Sequence, residues 1–277
     1  MAGRALVLGG GGVTGVAWEI GLLAGLADAG LDLSRADLVV GTSAGSAVAA
    51  LITGGFELDD IYQGQLAVNH NEIAAKLGVT TLARIGLAAL TSRDEQRARA
   101  RIGAMAVAAQ TVPAEERRQA IAARIRITEW PARRLLITAV AADDGEFAVF
   151  DRDSGVSIVD AVGASCAVPG VWPPVRIKGR AYIDGGMRSP ANVDLAAGSD
   201  SVVVIAPVAA SIRRNQSATA QVAALPAGTR AVVVSPDQAA RTAIGRNVLD
   251  PARRAPAAQA GRRQASDVLD RIAAVWT

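Results

Sequence analysis

Apolar residues in this chain come in short blocks separated by glycines and polar turns, and the spacing inside each block predicts its conformation. Ala5 to Leu8 is a continuous apolar run closed by the glycines Gly9 to Gly12, the pattern of a buried strand running into a tight turn. Val16, Ile20, Leu23 and Leu26 then recur at helical spacing across Val16 to Ala29, with Gly30 as the stop. Leu38 to Val40 repeats the strand pattern, and Ser46 to Ile52 reads as a second helix. Strand, helix, strand, helix in so short a span predicts an α/β fold with a mostly parallel sheet covered on both faces.

From Glu57 to about Ile127 the periodicity is helical and broken only by loops. Within it, Pro113, Glu115 and Glu116 precede Arg124, so acids sit early and bases late, as the helix dipole favours. Arg134 to Ala141 and Glu146 to Phe150 predict two strands joined through Asp-Asp-Gly, a hairpin signal. Val156 to Cys166 predicts a helix ended before Pro169. Val175 to Ile177 and Ala181 to Ile183 predict short strands around Lys178-Gly179. Val202 to Ala206 and Ala231 to Val234 have the uninterrupted apolar character of central parallel strands. Residues 208 to 220 are polar and aperiodic and predict a mobile loop, and Arg262 to Trp276 predicts a closing amphipathic helix. With no repeat and no linker, the expectation is one domain over 1–277, with 57–127 as a helical, cap-like insertion.

Composition narrows the classes. The chain has 277 residues, 51% hydrophobic but only 3% aromatic, so aliphatic residues must build the core. The net charge is +3, and the only lysines are Lys76 and Lys178, so arginine supplies nearly all the positive charge. The arginines are scattered among acids without a basic stripe or stacking aromatics, which argues against nucleic acid. Ordinary solvated surface accounts for them, the run Arg93 to Arg101 included; a cap that touches anionic lipid is the alternative. Cys166 is the one cysteine, so no internal disulfide is available. The amino-terminal stretch is interrupted by Gly9 to Thr14 and by Glu19, and no run approaches the ~18 apolar residues of a membrane span. A soluble, cytoplasmic protein is expected, at most peripheral at a membrane.

Two glycine motifs carry candidate chemistry. Gly41-Thr42-Ser43-Ala44-Gly45 stands between a strand and a helix, the setting in which hydrolases expose a nucleophilic serine. A helix N-cap is the plainer use of such a serine. Gly10 to Gly15 satisfies G-x-G-x-x-G after a strand and before a helix. It could bind a dinucleotide pyrophosphate, but the second strand then lacks its terminal acid, because Leu38 to Val40 runs directly into Gly41. The same glycines could instead present backbone amides to an oxyanion at roughly 3 kcal/mol per donor. Consecutive parallel strands bring both motifs to one edge of the sheet.

The proton acceptor is the open question. His70 is the single histidine and follows the serine too closely for the Ser, Asp, His order of an α/β-hydrolase. Lys76 and Lys178 are poorly placed. Among the carboxylates, Asp184 closes a short strand and is followed by Gly185-Gly186, which leave room for a second loop to approach. A buried aspartate has a raised pKa and becomes a workable base; a turn aspartate before two glycines is the plainer reading.

Taken in order, GGGGVTG, GTSAG and the distant DGG resemble the patatin-like phospholipase family. The stretch GASCAVPGVWPPV, Gly163 to Val175, is similar to a further family block, with Trp172 where Phe is usual. The resemblance covers roughly Ala5 to Asp194. It implies a three-layer α/β/α sandwich in which Ser43 attacks a lipid acyl ester, Asp184 is the base, and Gly10, Gly11 and Gly12 bind the oxyanion with the Ala44 amide. Gly15, Gly41, Gly45, Gly185 and Gly186 are the motif glycines. It implies no metal or organic cofactor, and lipid rather than nucleic acid as partner. Thr14 stands where many members carry Arg or Lys. The competing expectations are a non-catalytic nucleotide-binding module and an inactive protein of the same fold.

Overall fold

The computed structural model describes residues 3–67, 75 and 78–277; His70 and Lys76 lie outside them. The chain opens with β1 (Arg4–Leu8), α1 (Gly12–Asp28), β2 (Leu38–Gly41) and α2 (Ala44–Thr53). Four helices follow: α3 (Leu58–Leu66), α4 (Val79–Thr91), α5 (Glu95–Ala108) and α6 (Ala114–Ile125). Then come β3 (Arg134–Ala141), β4 (Phe147–Phe150), α7 (Ile158–Ser165), β5 (Val175–Ile177) and β6 (Arg180–Asp184). The last part holds β7 (Ser201–Ile205), α8 (Ala218–Ala223), β8 (Arg230–Val234), α9 (Gln238–Ile244) and α10 (Arg254–Trp276).

The strands form one sheet in the order β5-β6-β3-β2-β1-β7-β8, with β4 on β3. The β1–β2, β2–β3, β1–β7 and β7–β8 pairs are parallel, and β4, β5 and β6 add an antiparallel side. Side chains alternate between faces as the pleat requires. Leu6, Leu8, Val39 and Val203 join a core under α1, α2, α7 and α10, whereas Ala5, Val7, Val40 and Val204 join a second core with Val193 and Ala218. Ile85 and Ala88 of α4 and Ile102 and Ala106 of α5 pack on Val140 and Ile183, covering the second face at the antiparallel side. The result is the three-layer α/β/α sandwich with a mostly parallel sheet.

α1 is apolar nearly all round because it is enclosed nearly all round. Gly21 and Gly25 let α10 approach: a Cβ at Gly21 would stand 1.9 Å from the Ala258 carbonyl oxygen. Trp18 Nε1 donates to Gln264 Oε1 at 3.0 Å across the same contact. The carboxy-terminal helix is therefore part of the core.

Five segments depart from expectation. α1 begins at Gly12, not Val16, and α2 at Ala44, not Ser46, because both helices start inside their glycine motifs. α10 begins at Arg254, eight residues earlier than its apolar stripe indicates. β8 is an edge strand, only half-buried, although its run of apolar residues reads as central. Residues 208–220 are fastened rather than loose: Arg213 donates to the carbonyls of Ala89 and Ser92, and Gln216 Nε2 donates to Glu95 Oε2 at 2.8 Å. The anchors are polar and distant in sequence, so no local periodicity announces them. Among the described residues no helix is long and apolar enough to cross a membrane.

Candidate active site

The parallel strands β1 and β2 end side by side, and their loops lock together. Thr42 N donates to the Leu8 carbonyl at 3.0 Å, and Gly45 N to the Gly9 carbonyl at 2.9 Å. A Cβ at Gly45 would lie 2.1 Å from the Leu8 oxygen, so only glycine permits this docking. Between them Ser43 has φ 52° and ψ −118°, a conformation that costs a non-glycine residue about 1–3 kcal/mol. The side chains that hold it there come from α2 and from the end of α7. Ser43 N donates to Ser165 Oγ at 2.9 Å, and its carbonyl accepts from Ser46 Oγ at 2.6 Å and from the Cys166 thiol at 3.1 Å.

Ser43 occupies the N-cap position of α2, yet its side chain makes no capping hydrogen bond. Its hydroxyl donates instead to Asp184 Oδ2 at 2.7 Å, joining residues 141 positions apart. The other carboxylate oxygen of Asp184 accepts the Gly186 amide at 2.7 Å. Asp184 is 2% exposed. Burial pushes its pKa up to about 7, against the opposing pull of the Ser43 hydroxyl and the Gly186 amide. Gly185 lets this turn press on β3, where a Cβ would meet Thr138 Oγ1 at 2.3 Å.

The glycine turn after β1 differs in one particular from the expected set of oxyanion donors. Gly10 N donates to the Pro190 carbonyl at 2.8 Å and is already committed. The amides of Gly11, Gly12 and Ala44, at the starts of α1 and α2, have no hydrogen-bond partner among the described residues. Gly10 still faces the serine, since a Cβ there would be 3.4 Å from Ser43 Cβ. Gly12 has φ 63°, and a Cβ would stand 2.5 Å from the Val248 carbonyl oxygen. Gly15 and Gly11 both pack on Pro207. Thr14 is buried, and both its amide and its hydroxyl donate to the Val248 carbonyl, so it faces the carboxy-terminal segment.

Sequence reasoning missed the polar support behind the pair. Asn192, in the left-handed region at φ 52°, donates from Nδ2 to Thr42 Oγ1 and to the Ser189 carbonyl, both at 3.0 Å. Thr42 Oγ1 lies 2.9 Å from Thr138 Oγ1, and Arg188 closes the network on Asn192 Oδ1 at 2.9 Å. These bonds tie the serine elbow, β3 and the aspartate turn into one unit. Ser165 and Cys166 were visible inside the Gly163–Val175 block, but nothing local indicated that they hold Ser43. Trp172 is buried, with the Arg117 guanidinium 3.9 Å from its ring centre; an indole face is a stronger cation partner than a phenyl.

Residues 6–197 match the family profile described as patatin-like phospholipase. No curated protein matches the chain. Among solved structures, VipD from Legionella pneumophila has 16% identity and a TM-score of 0.51, covering 98% of this chain and 67% of its own. The type III effector protein ExoU has 18% identity and a TM-score of 0.46, covering 97% of this chain and 52% of its own. The profile runs from β1 through the serine elbow and the aspartate turn, and on that match the chain belongs to the patatin-like phospholipase family.

Proposed function

We propose that the chain is a phospholipase A-type serine acyl hydrolase that cleaves fatty-acyl esters of phospholipids or related lipids through a covalent acyl-Ser43 intermediate. One observation carries this reading: the Ser43 hydroxyl leaves its helix uncapped and donates to the buried Asp184 carboxylate at 2.7 Å. In the scheme Asp184 takes the hydroxyl proton as Ser43 Oγ attacks the ester carbonyl. The amides of Gly11, Gly12 and Ala44 receive the oxyanion, assisted by the positive end of α2. Collapse breaks the ester bond, and the proton on Asp184 passes to the departing alkoxide. Water then gives one proton to Asp184 as it attacks the acyl-serine; collapse breaks the ester to Ser43 Oγ, Asp184 returns that proton to the serine oxygen, and the fatty acid leaves. A base with a pKa near the working pH suits both halves. The scheme needs no metal and no organic cofactor. In it the whole chain acts as one domain, with α3 to α6 as its helical insertion.

The test is fluorophosphonate labelling with peptide mapping on the wild type, Ser43→Ala and Asp184→Asn. Label on Ser43, absent from Ser43→Ala and strongly slowed in Asp184→Asn, is the expected result. A folded wild type that takes no label would overturn the reading and bring forward an inactive or ligand-binding role.

A further inference from the structure

Ser43 and Asp184 stand at the ends of strands that are not neighbours. β2 leads into the serine elbow and β6 ends at the aspartate, and each pairs with β3 between them. Two strand spacings amount to about 10 Å. The 2.7 Å bond of the pair therefore depends on what ties the two loops together across the end of β3.

Asn192 spans that gap with one amide group. Its Nδ2 donates at 3.0 Å to Thr42 Oγ1, on the residue just before Ser43, and at 3.0 Å to the Ser189 carbonyl in the aspartate turn. Two longer contacts fill in the span: Thr138 Oγ1 of β3 at 3.3 Å and the Gly185 carbonyl, next to Asp184, at 3.4 Å. Thr42, Thr138, Ser189 and Asn192 are all fully buried. The chemistry of the partners dictates which way the amide points. Backbone carbonyls only accept, so Nδ2 must face Ser189 and Gly185. A guanidinium only donates, and Arg188 meets Oδ1 at 2.9 Å. Arg188 is itself held by Asp194 at 2.7 Å and lies 4.1 Å from the centre of the Phe147 ring. The backbone of Asn192, at φ 52° and ψ 48°, is left-handed, a conformation asparagine tolerates better than most side-chain-bearing residues.

We infer that Asn192 is a positioning residue for the reaction at Ser43: its amide holds the serine elbow and the aspartate turn at the separation that seats Ser43 Oγ on Asp184, and Arg188 fixes the orientation of that amide. The catalytic part of this inference rests on the hydrolase reading above.

The test compares the wild type with Asn192→Gly, Thr42→Val, Thr42→Ser and Arg188→Met. Glycine adopts the left-handed backbone without steric cost, so Asn192→Gly removes the amide alone. The first readout is carbon NMR titration of the Asp184 carboxyl, identified by its absence from Asp184→Asn, and it needs no turnover. The Ser43 hydroxyl holds the Asp184 pKa down against burial. If the hydroxyl is drawn away while the carboxyl stays buried, the midpoint should rise from about 7 by about one pH unit. The second readout is kcat and KM for p-nitrophenyl butyrate at a pH above both midpoints. Asn192→Gly should lower kcat by about a hundredfold, with KM within about threefold of wild type. Thr42→Val should repeat this pattern, and Thr42→Ser, which keeps the accepting oxygen, should restore most of what Thr42→Val loses. Arg188→Met should move both readouts the same way by less. The Thr42 pair carries the test where Asn192→Gly does not fold. An unchanged midpoint in folded Asn192→Gly or Thr42→Val would overturn the inference, as would an unchanged kcat in an enzyme whose wild type turns over the ester. A midpoint that falls would overturn it too, because admitting water to Asp184 has that sign and marks the amide as structural support alone. A raised midpoint in a protein that turns over no ester would keep Asn192 as the residue that seats Ser43 on Asp184 and defeat the hydrolase reading instead.

Discussion

Asp184 at the end of β6 and Glu19 in the middle of α1 are both carboxyls withdrawn from water, and their surroundings treat them in opposite ways. Asp184 meets two donors, the Ser43 hydroxyl and the Gly186 amide, each at 2.7 Å. Glu19 is 0% exposed, and neither of its oxygens has a hydrogen-bond partner among the described residues. Burial drives its pKa well above the usual carboxylate range; the nearby Gly9 amide opposes this weakly, being already bonded to the Ile205 carbonyl at 2.9 Å. A raised pKa therefore does not by itself mark a functional group. What separates the two is that Asp184 accepts the hydroxyl of a strained serine, whereas Glu19 has near it only the Gly9 amide, which is bonded elsewhere.

The largest effect that sharpens this contrast is at Asp184. Asp184→Asn should lower kcat/KM by about a thousandfold or more, since in the proposed scheme the serine loses its base. In the wild type kcat/KM should rise with pH through a midpoint near 7, because Asp184 must be ionised to accept the proton. The same group destabilises the fold once ionised. Its pKa is raised on folding, so its stabilising share is full below about pH 4 and is lost as pH rises through about 7. Relative to the wild type, Asp184→Asn should gain up to roughly 4 kcal/mol between those limits. Urea denaturation at pH 4 and pH 8 measures it. A flat difference across that range would show that Asp184 is not the buried acid described here.

Glu19 should give the smaller and complementary result. Glu19→Met replaces an uncompensated carboxyl with an apolar side chain of similar length, a change worth about 1–4 kcal/mol in favour of the fold. The sign follows the same rule: Glu19 is favourable when protonated and increasingly unfavourable as pH rises toward its elevated pKa. The gain should thus be larger at pH 8 than at pH 5, read as a Tm higher by several degrees. Turnover should stay within about threefold of wild type if α1 needs Glu19 for nothing but packing. A tenfold fall in kcat without a change in fold would erase the distinction and give Glu19 a part in placing the glycine turn.

The contrast also explains what was legible in the sequence. Ser43 and Asp184 could be singled out because each sits beside glycines that mark a close approach, and the packing at Gly45 and Gly185 bears that logic out. The central strands were equally plain, since parallel strands buried on both faces are continuously apolar. Glu19 was noticed only as a break in an apolar run; that it meets no hydrogen-bond partner among the described residues depends on how α1 sits against β1. Asn192, Thr138 and Ser165 act through side chains 54 to 150 residues distant, and ordinary polar residues carry no local signal of such pairing. The segment 208–220 and the edge position of β8 were misread for the same reason. Both depend on neighbours rather than on the segment's own pattern.

The smallest expected effect is none, and it decides who owns the midpoint near 7. An unperturbed imidazole titrates at about 6.5, so a pH profile alone cannot separate a histidine base from an aspartate held at about 7. His70 is the one histidine in the chain and lies outside the described residues. With the serine hydroxyl bonded directly to Asp184, no imidazole is needed between them. His70→Ala should therefore keep kcat/KM within about twofold and leave the midpoint where it was, because the titrating group is still present. Loss of the midpoint together with a thousandfold fall would assign the proton to His70. Asp184 would then join Glu19 as a carboxyl whose raised pKa records burial and nothing more.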